Sequence, residues 1–545
     1  MNRWTVRLLV IIVCLAGLWL VAGLVAKGVV SGATSGGLIA SLEKSIGVPV
    51  TVGAADFDLV QWFLLRPAVS LENITIGNPP GFRSKNFIEA KSLSAQVALL
   101  PLLQKTLEVH SIVLDQPRIL VETNAQGASN VEAFLRKPKG KSAPMASGSG
   151  GESGRATGLV VDELSINAGE VIAEDLSISG INIRLRDFSR ESACRLEFSA
   201  QFFHGRNSKL RLDGQAGPFA PDSLPLSGQV TLTIAPSEMP PAFRRKQFGT
   251  LLVAPGDKAR VTFTASIRGD VYQILRGPAK LAFSDFRIGK DEKHALPLEG
   301  EAPITFSAAR LMSAAPNIQL NMANARMRFG KGQWTGDAEL QLRGSAASGK
   351  SSGKLGGVDI NELLSSVTAA DGKIYGLLEI PYSLQLAGKN ADEIRNSLRG
   401  TGKLSVTQGR IAALDLLATI QQATLHPEQM LEGKRGATPF SSLAADLSIG
   451  QSKLNVDGLA LESPALRLNG RGVIDFDHNL NFDLVAHTSG DLAQLMNKVS
   501  RPGQDSGLPL TVTGTVDAPK VRPKTGKIVS DVAGSLLDSF LKKKK

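Results

Sequence analysis

"LRLNGRGVIDFDHNLNFDLVAH", Leu466 to His487, places Leu466, Leu468, Ile474, Phe476, Leu480, Phe482 and Leu484 at even positions. Arg467, Asn469, Arg471, Asp475, Asn481 and Asp483 fall between them at odd ones. Successive side chains of a β-strand point to opposite faces, so this alternation reads as two strands, each with one apolar and one polar face. Asp477-His478-Asn479 supplies the turn between them. The apolar face has two readings that alternation leaves open. It fills an ordinary core, or it lines a surface that touches something greasy.

The same phrase recurs along the chain. "QVTLTIAP" sets Val230, Leu232 and Ile234 on one face, and "RVTFTASIRGD" does so with Val261, Phe263, Ala265 and Ile267. "NARMRFGKGQW", "DAELQLRG", "GKLSVTQGRI", "SKLNVDGLALES" and "LPLTVTGTVDAPKV" continue it. Upstream, "PAVSLENITIGNPPGF" alternates Val69, Leu71, Ile74 and Ile76 before breaking at Asn78-Pro79-Pro80-Gly81. No strict period is visible, so this is a succession of antiparallel strands and not a counted solenoid repeat. Helical patterns are few. "NADEIRNSLRG" has Asn390 as N-cap, Glu393 as its capping-box partner and Gly400 as the stop. Ala412 to Ala423 is apolar at helical spacing.

At 545 residues the chain exceeds one compact core, which predicts two to four domains or an elongated body. The 55 glycines fit many short turns, and the net charge of +11 fits work beside anionic surfaces. Cys14 and Cys194 provide no disulfide framework. "LLVIIVCLAGLWLVAGLVA", Leu8 to Ala26, is uncharged and long enough to cross a bilayer. Its Leu8, Ile11, Ile12, Leu15, Leu18, Leu20 and Leu24 are the anchor candidates. The run outlasts a signal-peptide core and lacks an A-x-A site, so it reads as an uncleaved anchor. Arg3 and Arg7 ahead of it favour a cytoplasmic N-terminus. The positive surplus then points to lipid surfaces before nucleic acid.

The expected organisation is an anchor over 1–27, a β unit over 28–136 and a disordered linker over 137–158. A central β region over 159–389 and a C-terminal β region over 390–523 follow, with an amphipathic helix and lysine tail over 524–545. The linker, "KPKGKSAPMASGSGGESGRATG", buries too little apolar area to offset its chain entropy. In the tail, Leu536, Leu537, Phe540 and Leu541 join a helical apolar stripe ahead of Lys542, Lys543, Lys544 and Lys545. It can lie in a membrane interface, or it can plug the mouth of the last strands. The fold class is mostly β: one N-terminal transmembrane helix, then an extended, curled, groove-like antiparallel sheet with a few short helices.

No HExxH, Walker A, GxGxxG after a strand, or GxSxG in strand–turn–helix context occurs. Asp475 to His478 suits turn chemistry better than a metal site, and the six histidines are scattered. The expectation is a non-enzymatic protein without cofactor, metal or nucleic-acid partner.

Two blocks of sequence are similar to the AsmA family of Gram-negative envelope proteins. The first runs through "GVPVTVGAADFDL", "PAVSLENITIGNPPGF" and "AKSLSAQVALLPLLQKTLEVHSIVLDQPRILVETNAQGASNVEAF". The second holds "LRGTGKLSVTQGRIAALDLLATI", "TPFSSLAADLSIGQSKLNVDGLALESPALRLNGRGVIDFDHNLNFDL" and "LPLTVTGTVDAPKVRPK". The resemblance implies an inner-membrane anchor, a periplasmic β-rich body and a role in outer-membrane biogenesis. It also implies a groove for phospholipid acyl chains, as in the larger, bridge-like members. On that reading Leu466, Leu468, Ile474, Phe476, Leu480, Phe482 and Leu484 are groove candidates. A structural factor that assists outer-membrane protein insertion through periplasmic or outer-membrane partners is the alternative.

Overall fold

The structure is a computed structural model that describes residues 48–58, 68–98, 108–135, 160–241, 258–425, 431–432, 436–488 and 507–524, apart from single residues and short stretches within them. The expected anchor, linker and lysine tail lie outside the described residues. No helix among the described residues is long and apolar enough to cross a membrane.

All strands join one sheet. β1 (Val50–Thr51) and β2 (Ala54–Asp58) pair with β3 (Ala68–Gly77), which pairs with β4 (Asn86–Ala98). β4 pairs in turn with β5 (Glu108–Asp115) and β6 (Arg118–Val121), separated by Gln116-Pro117. α1 (Asn130–Leu135) follows. β7 (Val160–Ala173) then lies parallel to β5 and β6. From there the chain runs up and down through β8 (Leu176–Ser189), β9 (Cys194–Phe202), β10 (Lys209–Ala216), β11 (Pro225–Ile234) and β12 (Arg260–Asp270). It continues through β13 (Ile274–Ile288), β14 (Leu296–Ala309), β15 (Asn317–Phe329), β16 (Gly332–Arg343) and β17 (Ala346–Asp359). α2 (Ile360–Val367) leads to β18 (Ile374–Gly388), and α3 (Ala391–Ser397) to β19 (Arg399–Ile411). Beyond α4 (Leu416–Leu425) and β20 (Leu431–Glu432), β19 pairs with β21 (Thr438–Gly450). β22 (Lys453–Glu462), β23 (Leu466–Asp475), β24 (Leu480–Thr488), β25 (Leu508–Gly514) and β26 (Pro519–Pro523) complete the sheet.

The sheet is mixed, where alternation predicted antiparallel pairing throughout. The parallel joint falls where the chain between Val121 and Val160 is long enough for a crossover, which a hairpin loop is not. The sheet also curls. β20, in the connection between β19 and β21, pairs with the distant β26, and α4 packs on that strand.

Strands of up to 15 residues carry bulges, which add a residue and increase the twist. At two of them a side chain from the facing strand catches the displaced amide. Asp337 Oδ1 accepts from Asn324 N at 2.7 Å, and Asn182 Oδ1 accepts from Ala168 N at 3.0 Å. Both bulged residues have positive φ, 52° and 50°.

Two apolar clusters lie near the two ends of the sheet. One joins the inner faces of β3 to β9 under α1, with Phe87 and Phe134 rings 5.1 Å apart. The other joins β18 to β26 with Ile360 of α2 and Ile420 of α4. Helix ends follow local chemistry. Asn390 Oδ1 accepts from Glu393 N at 2.9 Å, and Glu393 returns the contact one residue earlier, accepting from Lys389 N. Gly400 is not the stop of α3, which ends at Ser397; Gly400 lies within β19, where a Cβ would come within 2.3 Å of Ser383 O. α4 starts at Leu416, later than the apolar pattern, because Asp415 caps it through Ala418 N at 2.9 Å.

Several strand glycines face a large side chain on the next strand. Gly472 lies opposite Phe482, and Gly470 opposite Leu484. A Cβ on Gly470 would come within 2.2 Å of Asp483 O, a backbone contact that no rotamer change relieves. Gly470→Ala is expected to destabilise the hairpin by about 1–3 kcal/mol. Hydrogen exchange should then accelerate across β23 and β24. Gly450→Ala, where a Cβ meets nothing within 4 Å, is the neutral control.

Candidate apolar groove

Direct register pairing carries one lateral row of residues across the sheet. Leu71, Leu93, Leu114, Ile166, Ile183 and Phe198 lead from β3 to β9. Leu212, Val230, Ala265, Ala279, Ile304, Met322 and Ala338 continue it to β16. Ser351, Leu384, Gly400, Ile449, Leu454, Ile474 and Leu480 take it to β24. Directly opposed residues share a face, so the row is one stripe, with Ser351 its single polar side chain. At about 4.8 Å between strands it runs for about 90 Å.

Coverage varies along the stripe. Leu71, Leu93, Ile166 and Ile183 are buried in the first cluster. Over β11 to β16 the inner side chains Val230, Leu232, Phe263, Phe306, Leu320 and Met322 are half-buried, and Leu340 is 37% exposed. Residues of β12 to β16 belong to neither cluster. Ala265, Ile267 and Ile304 on the same face are buried, 2%, 8% and 5% exposed, so the stretch is partly covered; half-buried apolar side chains in series are what a soluble sheet limits unless something covers them.

The hairpin that opened the sequence reading lies at the far end. Leu466 and Leu468 are buried, 2% and 3% exposed, and Leu484 packs against their cluster. Ile474, Leu480 and Phe482, toward the turn, are half-buried. One strand face therefore grades from closed core to open rim. Phe476 lies outside both strands, in the turn, with the Arg395 guanidinium 5.5 Å from its ring centroid. Leu8, Ile11, Ile12, Leu15, Leu18, Leu20 and Leu24 lie outside the described residues, as do Leu536, Leu537, Phe540, Leu541 and Lys542 to Lys545.

The half-buried stretch over β11 to β16 was readable as alternation in Val230, Phe263 and Leu340, but that pattern does not say how far such side chains are covered. A polar group unforeseen from sequence interrupts the inner face at β16 to β18. Trp334 Nε1 donates to Tyr382 Oη at 2.6 Å, and Tyr382 Oη lies 3.0 Å from Ser351 Oγ. Tyr382 lies between Gly353 and Gly402 on the two neighbouring strands. Among the described residues no group of three or more His, Cys, Asp or Glu is arranged to hold a metal.

Asp475 closes the β23–β24 turn. Its carboxylate accepts from Asn479 Nδ2 and Asn479 N, each at 2.8 Å, and from Asp477 N at 3.0 Å. The hydrogen bonds from Asn479 hold its carboxyl below the usual carboxylate range. A depressed folded pKa means stability fully present above the unfolded value of about 3.9 and lost as pH falls through the folded value. The turn is therefore expected to stay intact at pH 4 and open in stronger acid. The 13Cγ shift of Asp475, followed through an acid titration, checks this.

No curated protein and no solved structure matches the chain. A family match does exist, over residues 41–210. It takes in β1 to β9, α1 and the first residues of β10, hence most of the first apolar cluster and the parallel joint. The C-terminal block of resemblance, 398–524, lies outside it. Over residues 41–210 the chain matches the model of the AsmA family.

Proposed function

We propose that this protein is an envelope protein held in the inner membrane by Leu8 to Ala26, with its sheet in the periplasm, and that its apolar face holds or conducts phospholipid acyl chains during outer-membrane biogenesis. The observation that carries the reading is the lateral row from Leu71 to Leu480, apolar but for Ser351, with Ala265 and Ile304 buried and Ala279, Met322 and Ala338 half-buried over β12 to β16. Each methylene that leaves water for such a face gains about 0.8 kcal/mol. Apolar contact recurs from strand to strand along the row, through side chains that range from Ala265 to Met322, so the gain is spread over many positions. An acyl chain can then shift along the row without meeting one deep well. The mechanism is passive, needs no catalytic group or cofactor, and leaves the charged headgroup in water. The match to the AsmA family supports the envelope setting at family level.

Photo-crosslinking from the row tests the reading. A photoreactive residue at 322 or 480 is expected to capture phospholipid in cells, whereas one at 468, in the closed core, is not. Phe482→Asp puts a charge at a half-buried position, so the fold should survive while lipid capture at 480 falls severalfold. Capture of protein alone at 322 and 480 would instead favour an assembly factor that works by protein contacts. A reporter active only outside the cytoplasm, fused after Lys545, should be active; a stable but silent fusion contradicts the orientation.

A further inference from the structure

The polar face of the sheet holds a cleft of about 870 Å³ across β10 to β15. Its end walls are Asp213 on β10 and Asn321 on β15, and Arg268 and Arg276 lie between them. Register pairing sets these two arginines directly opposite each other on β12 and β13. Ser227 is opposite Arg268 on one side, and Ser307 opposite Arg276 on the other. The four form one lateral row, on the face opposite the apolar stripe.

Like charges directly opposed in a sheet are destabilising unless something neutralises them. Several charged side chains elsewhere on this sheet have partners of opposite sign on the neighbouring strand, and even the directly opposed carboxylates Glu197 and Asp213, and Asp446 and Asp457, have Arg195, Arg211 and Lys403 beside them. Lys280 and Glu301 are 2.7 Å apart, Lys354 and Glu379 2.9 Å, and Arg184 and Glu163 3.3 Å. Another opposed arginine pair, Arg186 and Arg195, converges on Glu197 at 3.9 and 3.4 Å. Arg268 and Arg276 make no ion pair and no side-chain hydrogen bond among the described residues. The nearby carboxylates are engaged. Asp213 accepts from Arg211 Nε at 2.8 Å, and Asp270 accepts from Ser223 Oγ, Tyr272 N and Gln273 N.

We propose that this cleft is a binding site for a phosphate group, a monoester, diester or free phosphate, gripped between Arg268 and Arg276 with Ser227 and Ser307 as flanking donors. Two guanidinium forks and two hydroxyls match a tetrahedral oxyanion, which presents acceptors in several directions, better than a planar carboxylate. The bound anion supplies the negative charge that the facing pair lacks. The inference is independent of the apolar groove, since it concerns the other face and holds whether or not acyl chains move.

The test uses the full chain in neutral maltoside micelles, with inorganic phosphate and short-chain dihexanoyl-phosphatidylglycerol as probes. Saturable binding by calorimetry is expected, with a rise in thermal midpoint as either probe is added. R268Q/R276Q should weaken binding at least tenfold, while R186Q/R195Q leaves it unchanged. Without probe, R268Q/R276Q should have a midpoint no lower than the parent, because a repulsion has been removed. Tighter binding of the lipid than of phosphate assigns a headgroup as the source, and tighter binding of phosphate assigns the soluble ion. Binding of neither probe, or equal binding by parent and R268Q/R276Q, overturns the site.

Discussion

Cross-strand register is the constraint on which this molecule depends. The side-chain period of a strand is two, so a slip of one residue in one pairing would turn that strand's apolar set outward. The stripe from Leu71 to Leu480 requires correct register at every joint between those strands. Hairpin connections supply much of it, but long strands drift as they twist. The bulges reset that drift. At Asn324 the chain gains a residue, and the inner face passes from Met322 to Ala325 and Met327. Asp337 fixes the spare amide, so the bulge is held by a hydrogen bond and not left to slide.

The glycines belong to the same problem. A curled single layer has little depth on its inner face, so large side chains need room beside them. Gly472 beside Phe482, Gly470 beside Leu484, and Gly353 and Gly402 on either side of Tyr382 provide it. Glycine costs chain entropy and weakens a strand, yet here it lets a neighbouring ring or isobutyl group lie across the backbone. The high glycine content, which from sequence reads as turn punctuation, is in part a packing device within strands.

Alternation made the β class and most strand faces legible, and the capping box at Asn390 placed α3. The failures have physical causes. β17, "AASGKSSGKLGGVD", has one β-branched residue, Val358, and no alternating pattern, and it forms because β16 and β18 pair with both of its edges. α2 is a short apolar segment whose role appears only in contact, where Ile360 and Leu364 enter the C-terminal cluster. Phe476 kept the parity of its neighbours but fell into the turn, where the Asp475 carboxylate gathers the following amides. The parallel joint at β7 was invisible because residues of low complexity carry no register.

Whether an apolar face becomes core or groove is not a property of its strands but of what lies over them. The side chains of β23 illustrate this within ten residues. Leu466 and Leu468 are sealed because they lie in the cluster that α2 and α4 enter and that the curl brings together with β25 and β26. Ile474, on the same face of the same strand, lies beyond that cluster and is left half-exposed. The insertion between β19 and β21 therefore sets where the face closes. By pairing β20 with β26 and packing α4 against that strand, it ties this end of the sheet together and leaves the rim by α3 open. Among the described residues α2 and α4 enter the C-terminal cluster, and α2 reaches β13 to β16 at their ends, through Lys290 N to Ser366 O and Lys331 to Glu362, so the sheet has a firm end and a less covered middle. That difference in coverage separates the closed part of the stripe from the part left half-buried.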